Sequence, residues 1–152
     1  MDVWEAEVVK MGIIRVLVVD DFELWRNYVV ATLAKVPELQ VVGTADDGAD
    51  SVRMAQKLQP DLVLIDVRLP KLTGIDAARE IRKRCPDAKI LFVSGEAEPE
   101  VVRAAFQAGA NGYIWKSDAA TGLQAGIAAV LLGRSFVSRT LVNLDKLSES
   151  SE

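Results

Sequence analysis

Along the chain, short apolar runs alternate with stretches in which apolar residues recur at helical spacing. Five runs stand out: Ile13 to Val19, Val41 to Ala45, Leu62 to Asp66, Ile90 to Val93 and Tyr113 to Trp115. They are rich in Val and Ile and largely continuous, as strands buried on both faces should be. The stretches between them predict helices at about Phe22 to Lys35, Ala49 to Leu58, Ile75 to Arg84, Pro99 to Ala108 and Asp118 to Leu132. Pro37, Pro60 and Pro86 follow three of these closely, Gly109 follows a fourth, and Pro99 sits where a first helical turn tolerates proline. This alternation predicts an α/β fold, a doubly wound, five-stranded parallel sheet with helices on both faces. Right-handed crossovers then place any ligand beyond the carboxyl ends of the strands, near a switch in strand order.

The chain has 152 residues, half of them hydrophobic, enough for one domain with a substantial core. The pattern divides it into an N-terminal extension at 1–12, a domain at 13–138 and a C-terminal tail or linker start at 139–152, in which Asn143 to Glu152 is polar. A net charge of −4 offers no basic footprint, so nucleic-acid binding by this chain alone is not expected. No apolar run approaches the roughly 20 residues that span a bilayer, and the first ten residues carry four charges, so no membrane association or secretion is expected. One cysteine and no histidine exclude an internal disulfide and a zinc site of the usual kind, and fit a reducing, cytoplasmic setting.

The residues that close the strands carry the chemistry. Asp20 and Asp21 follow the first run, Asp66 ends the third, Ser94 follows the fourth and Lys116 follows the fifth. A single strand-terminal aspartate is more often a helix cap or a solvated turn residue. Five reactive groups converging on one sheet edge are harder to explain that way. Clustered carboxylates repel unless a positive charge sits among them, and hard oxygen ligands select a hard cation such as magnesium.

With these residues the sequence resembles the response-regulator receiver family, through Val-Val-Asp20-Asp21, Leu-Ile-Asp66-Val-Arg-Leu-Pro70, Gly74, Val-Ser94-Gly and Gly109-Ala-Asn-Gly-Tyr113-Ile-Trp-Lys116. The likeness runs from about Ile13 to Ser138 and is greatest to receivers of the nitrate-regulator (LuxR-type) class. It implies a flavodoxin-like strand order 2-1-3-4-5 and phosphorelay signalling rather than turnover of an external substrate. Asp66 is then the phosphoacceptor, fed by a sensor histidine kinase or a phosphotransfer protein. Asp21, Asp66 and the backbone carbonyl of Arg68 ligate Mg2+, with Asp20 acting mainly through a metal-bound water. Ser94 and Lys116 bind the phosphoryl oxygens, and Tyr113 is the aromatic switch that follows Ser94 inward. The output is a phosphorylation-dependent homodimer or protein partner. The alternative is the receiver half of a LuxR-type DNA-binding regulator whose helix-turn-helix domain is not in this chain.

The sequence also departs from the family. Ser117 follows Lys116 where proline in a cis bond is common. Arg68 and Glu96, each two residues past a site residue, either pair across the site mouth or are both solvated. Trp25, one turn past Asp21, either approaches the metal site or simply packs, and Trp115 shares a strand face with Tyr113. Pro70 and Gly74 are expected only to turn the chain, and Cys85 to be structural although Arg82 and Arg84 lie near it. The receiver-like pattern starts at Met11, leaving Met1 to Lys10 as an extension whose Val3, Trp4, Val8 and Val9 either pack or do not. Two enzyme-like or carrier readings fit less well. A flavin phosphate would be repelled by Asp20, Asp21 and Glu23, and a haloacid-dehalogenase-type phosphatase needs an acid where Arg68 stands.

Overall fold

The computed structural model describes residues 3–138, with side chains from Ala6 onward. The polar tail therefore lies outside the described residues, as do the side chains of Val3 and Trp4. The strands are β1 (Ile14–Val19), β2 (Leu39–Ala45), β3 (Leu62–Ile65), β4 (Lys89–Ser94), β5 (Gly112–Trp115) and β6 (Phe136–Val137). All pair in parallel, in the order β2-β1-β3-β4-β5-β6. The helices are α1 (Val3–Val9), α2 (Glu23–Leu33), α3 (Gly48–Leu58), α4 (Gly74–Arg84), α5 (Pro99–Gln107) and α6 (Ala119–Leu131). None of the described helices is long and apolar enough to cross a membrane.

The expected order of five strands is present, and a sixth extends it beyond β5. Two apolar residues are too few to register as a run, so β6 is visible only through its partners. The Phe136 amide donates to the Asn111 carbonyl at 3.3 Å and the Ser138 amide to the Tyr113 carbonyl at 3.0 Å. The buried Ser138 hydroxyl in turn accepts from the Trp115 amide at 2.8 Å.

Strand side chains alternate between two cores. Val16, Val18, Leu64, Leu91 and Ile114 pack with Val29 and Leu33 of α2 and Leu123 and Ile127 of α6. Leu17, Val19, Ile65, Phe92 and Tyr113 pack with Ala55, Ala77, Ile81 and Ala105 of α3 to α5. That division is why the strands are apolar on both sides. Helix α1 lies on α6, and its Val8 is fully buried in the first core.

Local chemistry sets the helix ends. Asp47 and Thr73 accept from the amides of Asp50 and Asp76, capping α3 and α4. Arg82 is spent on the backbone, donating to the carbonyls of Pro86, Ala88 and Gly109 and to Asn111 Oδ1, so it clasps the loops at the N-terminal ends of β4 and β5. Nearby Cys85 is buried, its thiol pushed up by burial, and it donates to the Ala55 carbonyl at 3.4 Å. This is the structural role expected of it.

Candidate functional site

Register brings the site together. Val19 pairs with both Ala45 and Ile65, and Ile65 with Phe92, so the residues that follow these strands emerge at one level. The Asp66 amide donates to the Val19 carbonyl at 3.2 Å, which fixes the end of β3 beside that of β1. Oxygens of Asp20, Asp21 and Asp66 all lie within 4.8 Å of one another. Asp20 and Asp66 are buried, and Asp21 is exposed.

Lys116, just past β5, closes the cluster. Its Nζ is 2.8 Å from Asp20 Oδ2 and 3.1 Å from Asp66 Oδ2. The remaining carboxylate oxygens take backbone donors: Asp20 Oδ1 accepts from the Phe22 amide at 2.8 Å and Asp66 Oδ1 from the Val67 amide at 2.7 Å. Burial raises the Asp20 pKa above the ordinary carboxylate range, against the lowering effect of Lys116. Burial alone would lower Lys116, but the carboxylates of Asp20 and Asp66 outweigh it and raise the ammonium pKa. Both shifts reflect an excess of negative charge in a partly desolvated place. Three carboxylates against one ammonium leave two negative charges, and the donors are hard oxygens, a set that fits a divalent cation of the magnesium type.

Ser94, at the end of β4, is fully buried, and its hydroxyl accepts from the Glu96 amide at 3.1 Å. Tyr113 is likewise fully buried and donates to the Glu96 carbonyl at 2.7 Å, with its ring stacked on Phe92 at 5.9 Å between centroids. Burial pushes its phenol up to about 12, an effect the nearby Ser94 hydroxyl reduces. The tyrosine therefore already occupies the inward position that the receiver resemblance implies for it only after a switch. A hydrogen-bond acceptor and an aromatic partner hold it there. Trp115 packs partly buried against the same core.

Of the two open pairings, Arg68 and Glu96 do form an ion pair, linking the loop after Asp66 to the loop after Ser94. The contact lowers the Glu96 pKa and raises that of Arg68. With Asp21, Val67, Leu69 and Thr73, the pair lines a groove of about 430 Å³ beside the carboxylates. Trp25 packs against the first core, and the Lys116 ammonium also lies 5.2 Å from its ring centroid. Sequence spacing gave no sign of that cation, which comes from the end of β5, separated from β1 by two strands of the sheet. Two further contacts were equally invisible: Arg26 donates to the Asp20 carbonyl at 2.7 Å, and the Glu96 carbonyl serves Tyr113. Gly74 does more than turn the chain, since a Cβ there would lie 1.8 Å from the Asp66 carbonyl oxygen.

Comparison with known proteins agrees with this geometry. Residues 16–128 match the family described as the response regulator receiver domain. The chain is 33% identical to the transcriptional regulatory protein DegU of Brevibacillus brevis, over 96% of this chain and 66% of that protein. It is 39% identical to the response regulator GacA of Pseudomonas viridiflava, over 82% of this chain and 58% of that protein. The chain thus spans about three fifths to two thirds of these relatives. Among solved structures, a LuxR-family two-component response regulator from Aurantimonas sp. SI85-9A1 superposes with a TM-score of 0.86 at 31% identity, covering 93% of this chain and all of that one. The receiver domain of the regulator NarL from Mycobacterium tuberculosis gives 0.76 at 33% identity, over 81% and 99%. The chain belongs to the receiver domains of two-component response regulators.

Proposed function

We propose that Asp66 is the phosphoacceptor of this receiver and that the cluster around it exists to charge and stabilise an aspartyl phosphate. The observation that carries this reading is the Lys116 ammonium bridging Asp20 and Asp66, with Asp21 alongside. A carboxylate oxygen of Asp66 attacks the phosphorus of a phosphohistidine or a small acyl phosphate. The donor's P–N or P–O bond breaks, its electron pair leaves with the donor, and an acyl phosphate forms on Asp66. Attack of water on that phosphorus later releases orthophosphate and restores the carboxylate. No external substrate is turned over.

Asp21, Asp66 and the Arg68 carbonyl are the residues that would hold Mg2+, with Asp20, buried and 2.8 Å from the Lys116 ammonium, acting mainly through a metal-bound water. When bound, the cation supplies positive charge that offsets the phosphoryl oxygens. Lys116 and Ser94 then hold those oxygens, one by a charge-assisted hydrogen bond and the other by its hydroxyl. Moving the Ser94 hydroxyl toward phosphate draws it from the Glu96 amide, and Tyr113 in its inward place favours that state. A face built from α5, β5 and α6 changes shape in consequence, for a second copy or another protein partner. The phosphodonor partner is a sensor histidine kinase or phosphotransfer protein, in the cytoplasm.

The relatives' names favour a second reading of the output. DegU and the LiaR of Bacillus subtilis are among those called transcriptional regulatory proteins, and this chain spans 66% and 67% of their lengths. Under that reading the receiver controls a LuxR-type DNA-binding domain.

Incubation with magnesium and a small acyl phosphate, read by intact mass, tests the assignment. One phosphoryl group should add to the wild type and none to Asp66→Ala. Equal labelling of both would place the nucleophile elsewhere.

A further inference from the structure

An ammonium has three N–H donors, and two of those of Lys116 are directed at Asp20 and Asp66. The same ammonium also lies over the indole of Trp25. That ring is itself fixed, packed on the core beneath α2 and 5.2 Å from the Tyr28 ring at 42°. Its buried neighbours along the helix, Val29 and Leu33, are aliphatic and offer a cation nothing but dispersion. Only an aromatic face adds an electrostatic attraction for a cation.

We propose that Trp25 is a positioning residue for phosphoryl transfer, its indole face holding the Lys116 ammonium between Asp20 and Asp66 where the phosphoryl oxygens arrive. The proposal rests on Asp66 being the acceptor. A lysine on four methylenes has many rotamers to lose, whereas a cation already in place needs no ordering during the transfer. The side chain of Lys116 is only 22% exposed, so its attraction to the ring is weakly screened. Contacts of this kind correspond to between about 2-fold and 30-fold in rate. Trp25 touches no reacting atom and acts entirely through the lysine.

The test measures the initial rate of phosphoryl uptake from a small acyl phosphate with magnesium, using the full chain. The wild type is compared with Trp25→Tyr, Trp25→Phe and Trp25→Leu, and Trp25→Leu is repeated on Lys116→Ala. The expected order is Trp, then Tyr and Phe, then Leu, with the last slowed about 2-fold to 30-fold. On Lys116→Ala, removing the indole should change the rate by less than about 1.5-fold, since the coupling partner is gone. Fluorinated tryptophan placed at position 25 alone keeps the shape while weakening the ring's field, and decides the matter if Trp25→Leu fails to fold. Slowing by fluorination supports the proposal. An unchanged rate with fluorinated tryptophan, or an equal cost of Trp25→Leu with and without Lys116, overturns it and leaves Trp25 a packing residue. Label that survives Asp66→Ala overturns the acceptor assignment and this proposal with it, whereas Asp66-dependent labelling indifferent to residue 25 overturns this proposal alone.

Discussion

The Tyr113 hydroxyl donates to the Glu96 carbonyl at 2.7 Å, while the Glu96 side chain pairs with Arg68. One residue of the β4–α5 loop is thus tied by its backbone to β5 and by its carboxylate to the loop after Asp66. Tyr113→Phe keeps the ring and removes the first tie. It should cost about 1 kcal/mol of stability. Amide hydrogen exchange at Gly95 to Ala97 should accelerate, and unchanged protection there would show that the Arg68 pair and the Ser94 hydroxyl hold the loop without the phenol.

The same phenol predicts an alkaline limit. Unfolded tyrosine gives up its proton near pH 10, whereas Tyr113 in the fold holds it to about 12. Between those values unfolding releases a proton, so the stability contributed by the buried neutral phenol is intact below pH 10 and is lost as pH rises toward 12. Denaturant unfolding across this range should show a downward slope that is shallower in Tyr113→Phe. Identical slopes would mean that other groups set the alkaline limit.

Divalent cation binding should depend most on the exposed carboxylate. Asp20 is largely committed to Lys116 and the Phe22 amide, while Asp21 is exposed and borders the groove. Asp21→Ala should weaken magnesium binding by at least about tenfold, as loss of a direct ligand would. Calorimetric titration gives the answer, and equal affinities would remove Asp21 from the site.

Gly74 offers a steric test of the acceptor's backbone. A methyl at this position would overlap the Asp66 carbonyl oxygen, and its own amide donates to the Val67 carbonyl at 2.7 Å. Gly74→Ala therefore forces α4 away from the end of β3. We expect a loss of about 1 to 3 kcal/mol in chemical denaturation, together with slower labelling of Asp66. A fully stable variant would show that the loop yields more easily than its close approach suggests.

Much of this was legible in the sequence because parallel strands convert chain position into spatial level. Four of the five apolar runs lead into reactive residues, which was enough to place Asp20, Asp21, Asp66, Ser94 and Lys116 at one edge. What stayed hidden depends on side-chain direction across elements distant in sequence. The Lys116 ammonium over Trp25 joins residues 25 and 116 through no local pattern. Tyr113 was placed correctly on its strand, but its inward position depends on a backbone acceptor, and any residue at position 96 supplies a carbonyl. Strand β6 escaped because two apolar residues carry no period, and its existence rests on the amides of Phe136 and Ser138.

That short strand bears on how the protein avoids unwanted company. An open sheet invites other chains to add strands along its margins, and proteins guard these margins with brief strands and bulges. Among the described residues one margin is Phe136–Val137, too short to template a further ribbon, and it shields the Tyr113 backbone. The opposite margin, β2, meets β1 with a register break between Val16 and Leu17, which bends it away from flat pairing. Among the described residues, polymerisation by strand addition is discouraged at both margins, so neither presents a long, flat, sticky ribbon to another copy.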